Sequence, residues 1–368
     1  MADARPGPRR GRRSACLSGR WSEVSVCDDE PVHWHLLGVD GTKNDPDRAT
    51  IEDMLASGKL LWLDMNGIDN DGLDMLGKAF GIHPLALEDV TEFGQRPKIE
   101  TYDNVTYLVT YGAGPVRSEP AEVHCFYSER FLVTVRTEHC DALNQLREYV
   151  KKAGGQLPGD RQPTQMIFLH HVLDTLIDSY FPMLADFDDQ IDDLQARIFT
   201  TPSDAELEDL FSMQRSLANM RKLVTPQRDM MSAIVSGMVP LPGMTPEREP
   251  YVRDLYDHLI RISDLVDSYR DVLSNAMDAY LSVVSNNLNV VTKQLTIIAT
   301  VFLPLSFLTG FFGQNFGWMV EHIGSPWAFI GLGLGSEAVA ITSLYLLFRS
   351  RGWIGPVRRK PRKPALEQ

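Results

Sequence analysis

Oxygen-bearing and small side chains recur along one stripe of a predicted helix near the carboxyl end of the chain. They are spaced alternately four and three residues apart: Asp278, Ser282, Ser285, Asn289, Thr292, Thr296, Ala299, Leu303, Ser306 and Gly310. Hydroxyl groups inside a membrane need a protein partner or water. Several copies of this stripe around a symmetry axis would therefore line a narrow hydrated pore. Close helix packing through small residues is the alternative that periodicity alone leaves open.

A second group of polar residues lies in the segment 141–245. Its acids fall near one face of a predicted helix: Asp186, Asp189, Asp192 and Asp193. This face is either an ordinary solvated surface or one that attracts divalent cations. The adjacent His170 and His171 would project in different directions from a helix, so they make a poor metal-binding pair. The four cysteines have no metal-ligand spacing, and no zinc site or disulfide framework is predicted.

Two apolar stretches near the carboxyl end are each long enough to cross a bilayer. Residues 295–312 contain no formal charge, and residues 327–348 contain one, Glu337. At 1.5 Å per residue, each can span a hydrocarbon core of about 30 Å when slightly tilted. Two core helices of a soluble protein are the alternative, but the basic cluster that follows directly favours a membrane. An acid inside a span is costly, so we expect Glu337 to be paired or functional.

Charge is distributed unevenly along the chain, whose net charge is −13. The first twenty residues carry six Arg and one Asp, and the last twenty carry seven Lys or Arg and one Glu. The loop between the spans has no Lys or Arg, which predicts an inner-membrane protein with both termini in the cytoplasm. The acidic balance argues against a nucleic-acid partner.

Composition shifts and breaker residues predict eight segments. They are a disordered basic tail (1–30), a cytoplasmic α/β domain (31–140), an acidic helical hairpin (141–245), a stalk helix (246–293), a first membrane span (294–313), an external loop (314–326), a second span (327–348) and a basic cytoplasmic end (349–368). The stalk carries an apolar seam that begins at Leu255 and Leu259, typical of a helix packed against other helices or copies of itself. No phosphate-binding loop, HExxH or nucleophile elbow is present, so we do not predict an enzyme.

Three segments together carry a resemblance to a known family. They read TIIATVFLPLSFLTGFFGQNF (296–316), HPLALEDVTEFGQRPKIETYD (83–103) and YVRDLYDHLIRISDLVDSYRDVLSNAMDAYLS (251–282). They resemble, in the right order, the pore helix, a cytoplasmic motif and the stalk of the CorA family of divalent metal ion (magnesium/cobalt) transporters. The likeness covers roughly residues 30–355.

The resemblance implies a homopentameric funnel. An α/β cytoplasmic domain would be followed by long stalk helices and two carboxyl-terminal transmembrane helices, with the first span lining the pore. The implied pore-lining residues are Asp278, Asn289, Thr292, Leu295, Ala299, Leu303, Ser306 and Gly310. The implied activity is channel-like transport of Mg²⁺, with Co²⁺ or Ni²⁺ as further cargo.

The resemblance also implies the residues at both ends of the pathway. The family's Gly-Met-Asn entrance motif corresponds to Gly313, Gln314 and Asn315, with Gln in place of Met, and Glu321 lies in the external loop. Carbonyl rings can hold a hydrated Mg²⁺ through its waters. An added amide at Gln314 can change the ion preference. Arg349 and Arg351 resemble the family's basic collar.

A regulatory metal site is implied in the cytoplasm. Glu88 and Asp89 correspond to the family's divalent-ion motif between subunits, with Asp254 on the neighbouring stalk. A bound Mg²⁺ would bridge these carboxylates and hold the pore closed. Two alternatives stay open at this point: a ZntB-like Zn²⁺ transporter, and a membrane-anchored Mg²⁺ sensor or scaffold that does not conduct.

Overall fold

The computed structural model describes residues 33–38, 41–114, 120–136, 140–153, 164–200, 202–314, 317–322 and 324–353. It divides into two compact units, one up to Met277 and one from Asp278 onward. The predicted tail, most of the predicted basic end and Asn315 lie outside the described residues.

A seven-stranded sheet forms the first unit's amino-terminal part. Its strands are β1 (His33–Gly38), β2 (Gly41–Asn44), β3 (Leu61–Asn66), β4 (Lys98–Tyr102), β5 (Val105–Ala113), β6 (Pro120–Tyr127) and β7 (Leu132–Arg136). Their order across the sheet is β2-β1-β3-β7-β6-β5-β4. Only the β3–β7 pair is parallel among the described strands. The predicted α/β class is confirmed.

Helices cover both faces of this sheet. One face packs on α1 (Arg48–Ala56), α2 (Asn70–Lys78) and α3 (Pro84–Asp89). The other face packs on α4 (Asp141–Lys152) and α5 (Gln165–Asp178). The approach of α5 to β5 is close, since a Cβ on Gly112 would lie 2.9 Å from Leu176 Cδ2. This contact fixes α5, the helix that presents several of the candidate site residues described below.

Three further helices complete the first unit and lead into the second. They are α6 (Tyr180–Thr200), α7 (Asp204–Val235) and the 64-residue α8 (Glu249–Phe312). The start of α7 is a capping box formed by Ser203 and Glu206, in which each side chain satisfies the other's backbone N–H.

The apolar seam of α8 is buried. Its buried members within the first unit are Val252, Leu255, Leu259, Ile262, Val266, Leu273 and Ala276. Contacts from its flanks show the partners: Tyr251 meets the ring of His170 on α5, Arg261 lies over Phe181 on α6, and Asp267 pairs with Arg221 on α7. The seam therefore packs against the other helices of the same subunit.

The second unit contains the two apolar helices. The apolar stretch of α8 has none of its eighteen residues buried. After a short helix, α9 (Gly317–His322), comes the second apolar helix, α10 (Pro326–Ser350), which contains a π-helical segment at Phe329–Leu334. Its most apolar eighteen-residue stretch likewise has no buried residue. Because core helices of soluble proteins are mostly buried, this exposure favours membrane spans.

A buried ion network holds the sheet to α4. Asp64 is fully buried on β3 and accepts a hydrogen bond of 2.8 Å from Thr134. Its carboxylate also lies 3.1 Å from the guanidinium of Arg136 and 3.4 Å from that of Arg147. The guanidinium groups of two arginines thus share one buried carboxylate. Replacing this carboxylate with a neutral group would destabilise the fold, because a buried positive charge would lose its partner.

We expect Asp64→Asn to lower the free energy of unfolding by about 3–5 kcal/mol, because the buried Arg136 would lose its counter-charge. Thermal unfolding of the purified full chain measures this loss. Asp71→Asn, which removes an exposed carboxylate on α2, is the control. Equal melting temperatures for the two variants would contradict the interpretation.

Candidate ion pathway and metal-binding clusters

The polar stripe occupies an exposed side of α8. All ten of its members are exposed in one subunit, from Asp278 to Gly310. A different side of the same helix is partly covered, at Lys293, Ile297, Pro304 and Leu308 among others. One side of α8 therefore has neighbours in the same subunit, while the stripe is free to face other copies of the chain.

Hydroxyl groups along the apolar part of α8 donate to their own helix. Thr296 donates to the carbonyl of Thr292 at 2.8 Å, and Thr300 donates to the carbonyl of Thr296 at 2.7 Å. Thr309 donates to Leu305 at 2.9 Å. Each hydroxyl hydrogen thus has an acceptor in the backbone of the same helix, and the oxygen lone pairs remain available to accept hydrogen bonds. Such oxygens suit the waters around a hard cation.

Two of the three predicted entrance residues are described, Gly313 and Gln314. Both are exposed, directly after the last residue of α8. The backbone N–H of Gly313 donates to Thr309 at 2.9 Å, and that of Gln314 donates to Phe311 at 3.3 Å. A Cβ on Gly313 would lie only 3.1 Å from the Thr309 carbonyl oxygen. Glycine is therefore the residue that fits this tight helix end.

The remaining predicted residues of the second unit are placed on separate elements. Glu321 is exposed on α9, while Arg349 and Arg351 are exposed at the end of α10. Glu337 is half-buried on α10, three residues after the π-helical segment. Leu295 and Leu303, both predicted to line the pore, are well exposed apolar side chains on α8.

Two of the predicted regulatory residues, Glu88 and Asp89, end helix α3. Glu88 is exposed, whereas Asp89 is half-buried and already paired. Its carboxylate lies 2.5 Å from the ammonium of Lys98 on β4. The third residue, Asp254, lies on α8 beside His258, so a single subunit places it in a different group of side chains.

This second group, the α5–α8 cluster, brings five titratable side chains together: His170, Asp174, Asp178, Asp254 and His258. Nδ1 of His258 lies 3.0 Å from Asp178 and 3.7 Å from Asp174, and its Nε2 lies 3.8 Å from Asp254. Two sets of three have ligand atoms within 4.8 Å of one another, namely His170 with Asp174 and Asp254, and Asp174 with Asp178 and His258. Carboxylate and imidazole groups at such separations can share a divalent cation.

Electrostatics in the α5–α8 cluster favour a cation. Burial raises the pKa of Asp174, and burial together with the nearby Asp174 raises the pKa of Asp178. Burial also lowers the pKa of His170 to about 4, and neither ring nitrogen has a hydrogen-bond partner among the described residues. Carboxylates that resist ionisation and an unpartnered imidazole are what a bound divalent ion would satisfy.

This cluster was not predicted from the sequence. His170 was compared only with the adjacent His171, although His170, Asp174 and Asp178 follow one another at intervals of four on a helix. That spacing puts the three side chains on one face of α5, and from it the sequence alone could have predicted that they lie together. The contribution from α8 required the packing of the two helices, which the sequence does not give.

We expect the stability of the protein to fall below pH 6.5 partly through His170. Its pKa is lower in the folded than in the unfolded chain, so the unfolded chain takes up the proton first as the pH falls towards 4. The resulting loss of unfolding free energy approaches about 3 kcal/mol near pH 4, at ~1.4 kcal/mol for each pH unit over which only the unfolded chain is protonated.

Melting temperatures of the chelator-treated protein at pH 7.5 and pH 5 test this. His170→Phe should keep the ring contact with Tyr251 and show a smaller drop than the wild type, whereas the control His171→Phe should drop as the wild type does. An undiminished drop in His170→Phe would refute the assignment.

The chain matches known proteins over most of its length. The profile of the CorA-like Mg²⁺ transporter protein family matches residues 57–350. The cobalt/magnesium transport protein CorA of Thermotoga maritima is 33% identical over 298 residues, which cover 80% of this chain and 83% of that protein. The zinc transport protein ZntB of an Enterobacter species is 27% identical over 305 residues, which cover 80% of this chain and 88% of that protein.

A solved structure agrees with the fold. The complete CorA magnesium transporter from Methanocaldococcus jannaschii has a TM-score of 0.73 to this chain at 21% identity, covering 88% of this chain and 99% of that one. At this identity the likeness shows the architecture: an amino-terminal α/β domain, a long helix and two carboxyl-terminal apolar helices. Together, the family match and the relative at 33% identity establish that the chain belongs to the CorA family of metal ion transporters.

Proposed function

We propose that this membrane protein forms a homopentameric channel that carries divalent cations, Mg²⁺ first, into the cell across the inner membrane. The observation that carries the proposal is the exposed stripe of α8, which presents oxygen atoms and small residues on entering an apolar span. Two spans in one chain cannot enclose a pathway, so the stripe requires neighbouring copies. Relatives named as cobalt and magnesium transporters support the same activity, and we assign no catalytic reaction to the chain.

The proposed pathway moves a cation that keeps most of its water. Mg²⁺ gives up its hydration shell reluctantly, and rings of Gly313, Gln314 and Asn315 would hold it through carbonyl oxygens and waters. Leu303 and Leu295 would form apolar constrictions that close by dewetting. With both termini cytoplasmic, Asn289 and then Asp278 would receive the ion at the inner end. An inside-negative potential favours entry by about 2.3 kcal/mol per charge per 100 mV.

Regulation by internal Mg²⁺ is part of the proposal. Asp254 takes part in the α5–α8 cluster and, across a subunit boundary, would face Glu88 and Asp89 of the adjacent copy. A bound Mg²⁺ would neutralise these carboxylates and hold the subunits in a closed arrangement. When internal Mg²⁺ falls, repulsion between the carboxylates would loosen the ring and open the pore, because the ion binds the two states unequally.

Zinc transport is the second candidate. Gln314 stands where the magnesium motif has Met, and a ZntB protein is among the relatives. Zinc binds most strongly to sulfur and nitrogen ligands. The stripe of α8 from Asp278 to Gly310 offers oxygen atoms and small apolar groups, and no His or Cys. Magnesium therefore fits the pathway better than zinc.

Ion flux into liposomes that contain the purified full chain tests the transport proposal. Under an inside-negative potential we expect Mg²⁺ influx, with Co²⁺ and Ni²⁺ competing. Gln314→Met should change the Mg²⁺ rate by no more than about tenfold, or ~1.4 kcal/mol, because the flanking Gly313 and Asn315 remain. Zinc influx that exceeds magnesium influx would support the ZntB-like alternative. The absence of flux for every metal would support a non-conducting sensor or scaffold.

Protection of α8 from limited proteolysis tests the regulatory proposal. Mg²⁺ should protect the wild-type helix by closing the ring around it. Asp89→Ala and Asp254→Ala should each raise the protecting Mg²⁺ concentration by about tenfold or more, which is ~1.4 kcal/mol of binding free energy. Asp271→Ala removes an exposed acid of the same helix and is the control. Unchanged midpoints in both test variants would rule out these residues as ligands.

A further inference from the structure

The carboxylate of Asp89 is paired within its own subunit. The ammonium of Lys98 lies 2.5 Å from Asp89 Oδ2, and both side chains are half-buried, at 27% and 29% exposure. The ammonium also lies 5.3 Å from the centre of the Tyr107 ring, where a cation–π contact forms. Lys98 thus supplies the charge that a metal ion would otherwise supply to Asp89.

The loop after α3 keeps this pair in place. Backbone N–H groups of Gly94 and Gln95 donate to the carboxylate of Glu122 on β6, at 2.5 and 3.1 Å. The side-chain amide of Gln95 then donates to the Asp89 carbonyl oxygen at 2.7 Å. The backbone of Asp89 is therefore held in place beside the sheet. The ion pair can be opened more easily by rotation of the flexible Lys98 side chain than by movement of this backbone.

Lys98 has a second acceptor within reach. Glu100, two residues along β4 and on the same face of the strand, places Oε2 3.4 Å from the ammonium. That oxygen accepts a hydrogen bond of 2.9 Å from the hydroxyl of Tyr102, which fixes its position. The ammonium can move from Asp89 to Glu100 by a small rotation of its side chain and still have a carboxylate partner.

We propose that Lys98 is a tethered competitor of the regulatory cation: it neutralises Asp89 while the site is empty and passes to Glu100 when a divalent ion binds. This inference rests on the regulatory part of the proposed function. Lys98 would set the ion concentration at which the site fills, because each binding event must displace an ammonium. The exchange leaves neither Asp89 nor Lys98 unpaired in either state, so the site can empty without a large loss of stability.

Opposite effects of two neighbouring variants test the proposal. In the full chain in lipid nanodiscs, with Mg²⁺ as the probe, the midpoint of proteolytic protection of α8 is measured. Lys98→Met keeps the apolar stem and should lower the midpoint about three- to tenfold, the range of a partly buried ion pair. Glu100→Gln should raise the midpoint, because the displaced ammonium loses its second partner. In the double variant, the effect of Glu100→Gln should vanish.

A control variant distinguishes displacement of the Lys98 ammonium from the general effect of removing a positive charge near the site. Arg96→Met removes an exposed positive charge two residues away and should shift the midpoint less than twofold. A shift in Lys98→Met no larger than in Arg96→Met, or in the opposite direction, would overturn the proposal. An undiminished effect of Glu100→Gln in the double variant would do the same.

The outcomes distinguish this inference from the proposed function. Protection of the wild type together with an unchanged midpoint in Lys98→Met would reject the role of Lys98 and leave Mg²⁺ regulation standing. A wild type that Mg²⁺ never protects would reject the regulatory proposal, and the role of Lys98 with it.

Discussion

Burial of the apolar seam of α8 against α5, α6 and α7 is the constraint on which the first unit depends. A fully buried Leu contributes about 2 kcal/mol relative to exposure, and the seam holds several such residues. This packing fixes the rotation of α8, which in turn fixes Asp254 and His258 on the side that meets α5. Carboxylates of two helices are therefore held close together by apolar contacts that do not depend on them. A cation can relieve the resulting repulsion, and the helices cannot simply move apart.

The two acidic groups of the first unit balance their charge in different ways. Asp89 is paired with the ammonium of Lys98, and Glu100 lies beside that ammonium. Asp174 and Asp178 have His258, whose charge depends on its protonation. The first group is thus suited to exchange the ammonium of Lys98 for a metal cation. The second group is suited to bind an additional cation. Asp254 belongs to the second group and, in the proposed pentamer, faces the first. This shared residue would make the stalk helix sensitive to ion binding at either group.

Much of this architecture follows from sequence patterns. The stripe from Asp278 to Gly310 and the seam that includes Leu255 and Ile262 were visible because helical periodicity depends only on spacing along the chain. Both spans were visible because each is a long apolar stretch with at most one charge. The short strands β2 and β4 carry few apolar residues, so the sequence gives little signal for them. The α5–α8 cluster and the Lys98–Asp89 pair required tertiary packing, which brings residues together that lie far apart in sequence or on different elements. A motif comparison named Asp254 as a ligand, but only the packing of α5 and α8 revealed its partners Asp174 and His258.

In the proposed function, divalent cations both pass through the pore and close it from the cytoplasmic side. The most direct test is Mg²⁺ influx into liposomes containing the protein in one orientation, measured at a fixed potential while the Mg²⁺ concentration on the cytoplasmic face is varied. We predict fast influx when that face is free of Mg²⁺ and progressive closure as Mg²⁺ is added there. Influx that does not change with Mg²⁺ on the cytoplasmic face, beyond the change in driving force, would contradict it.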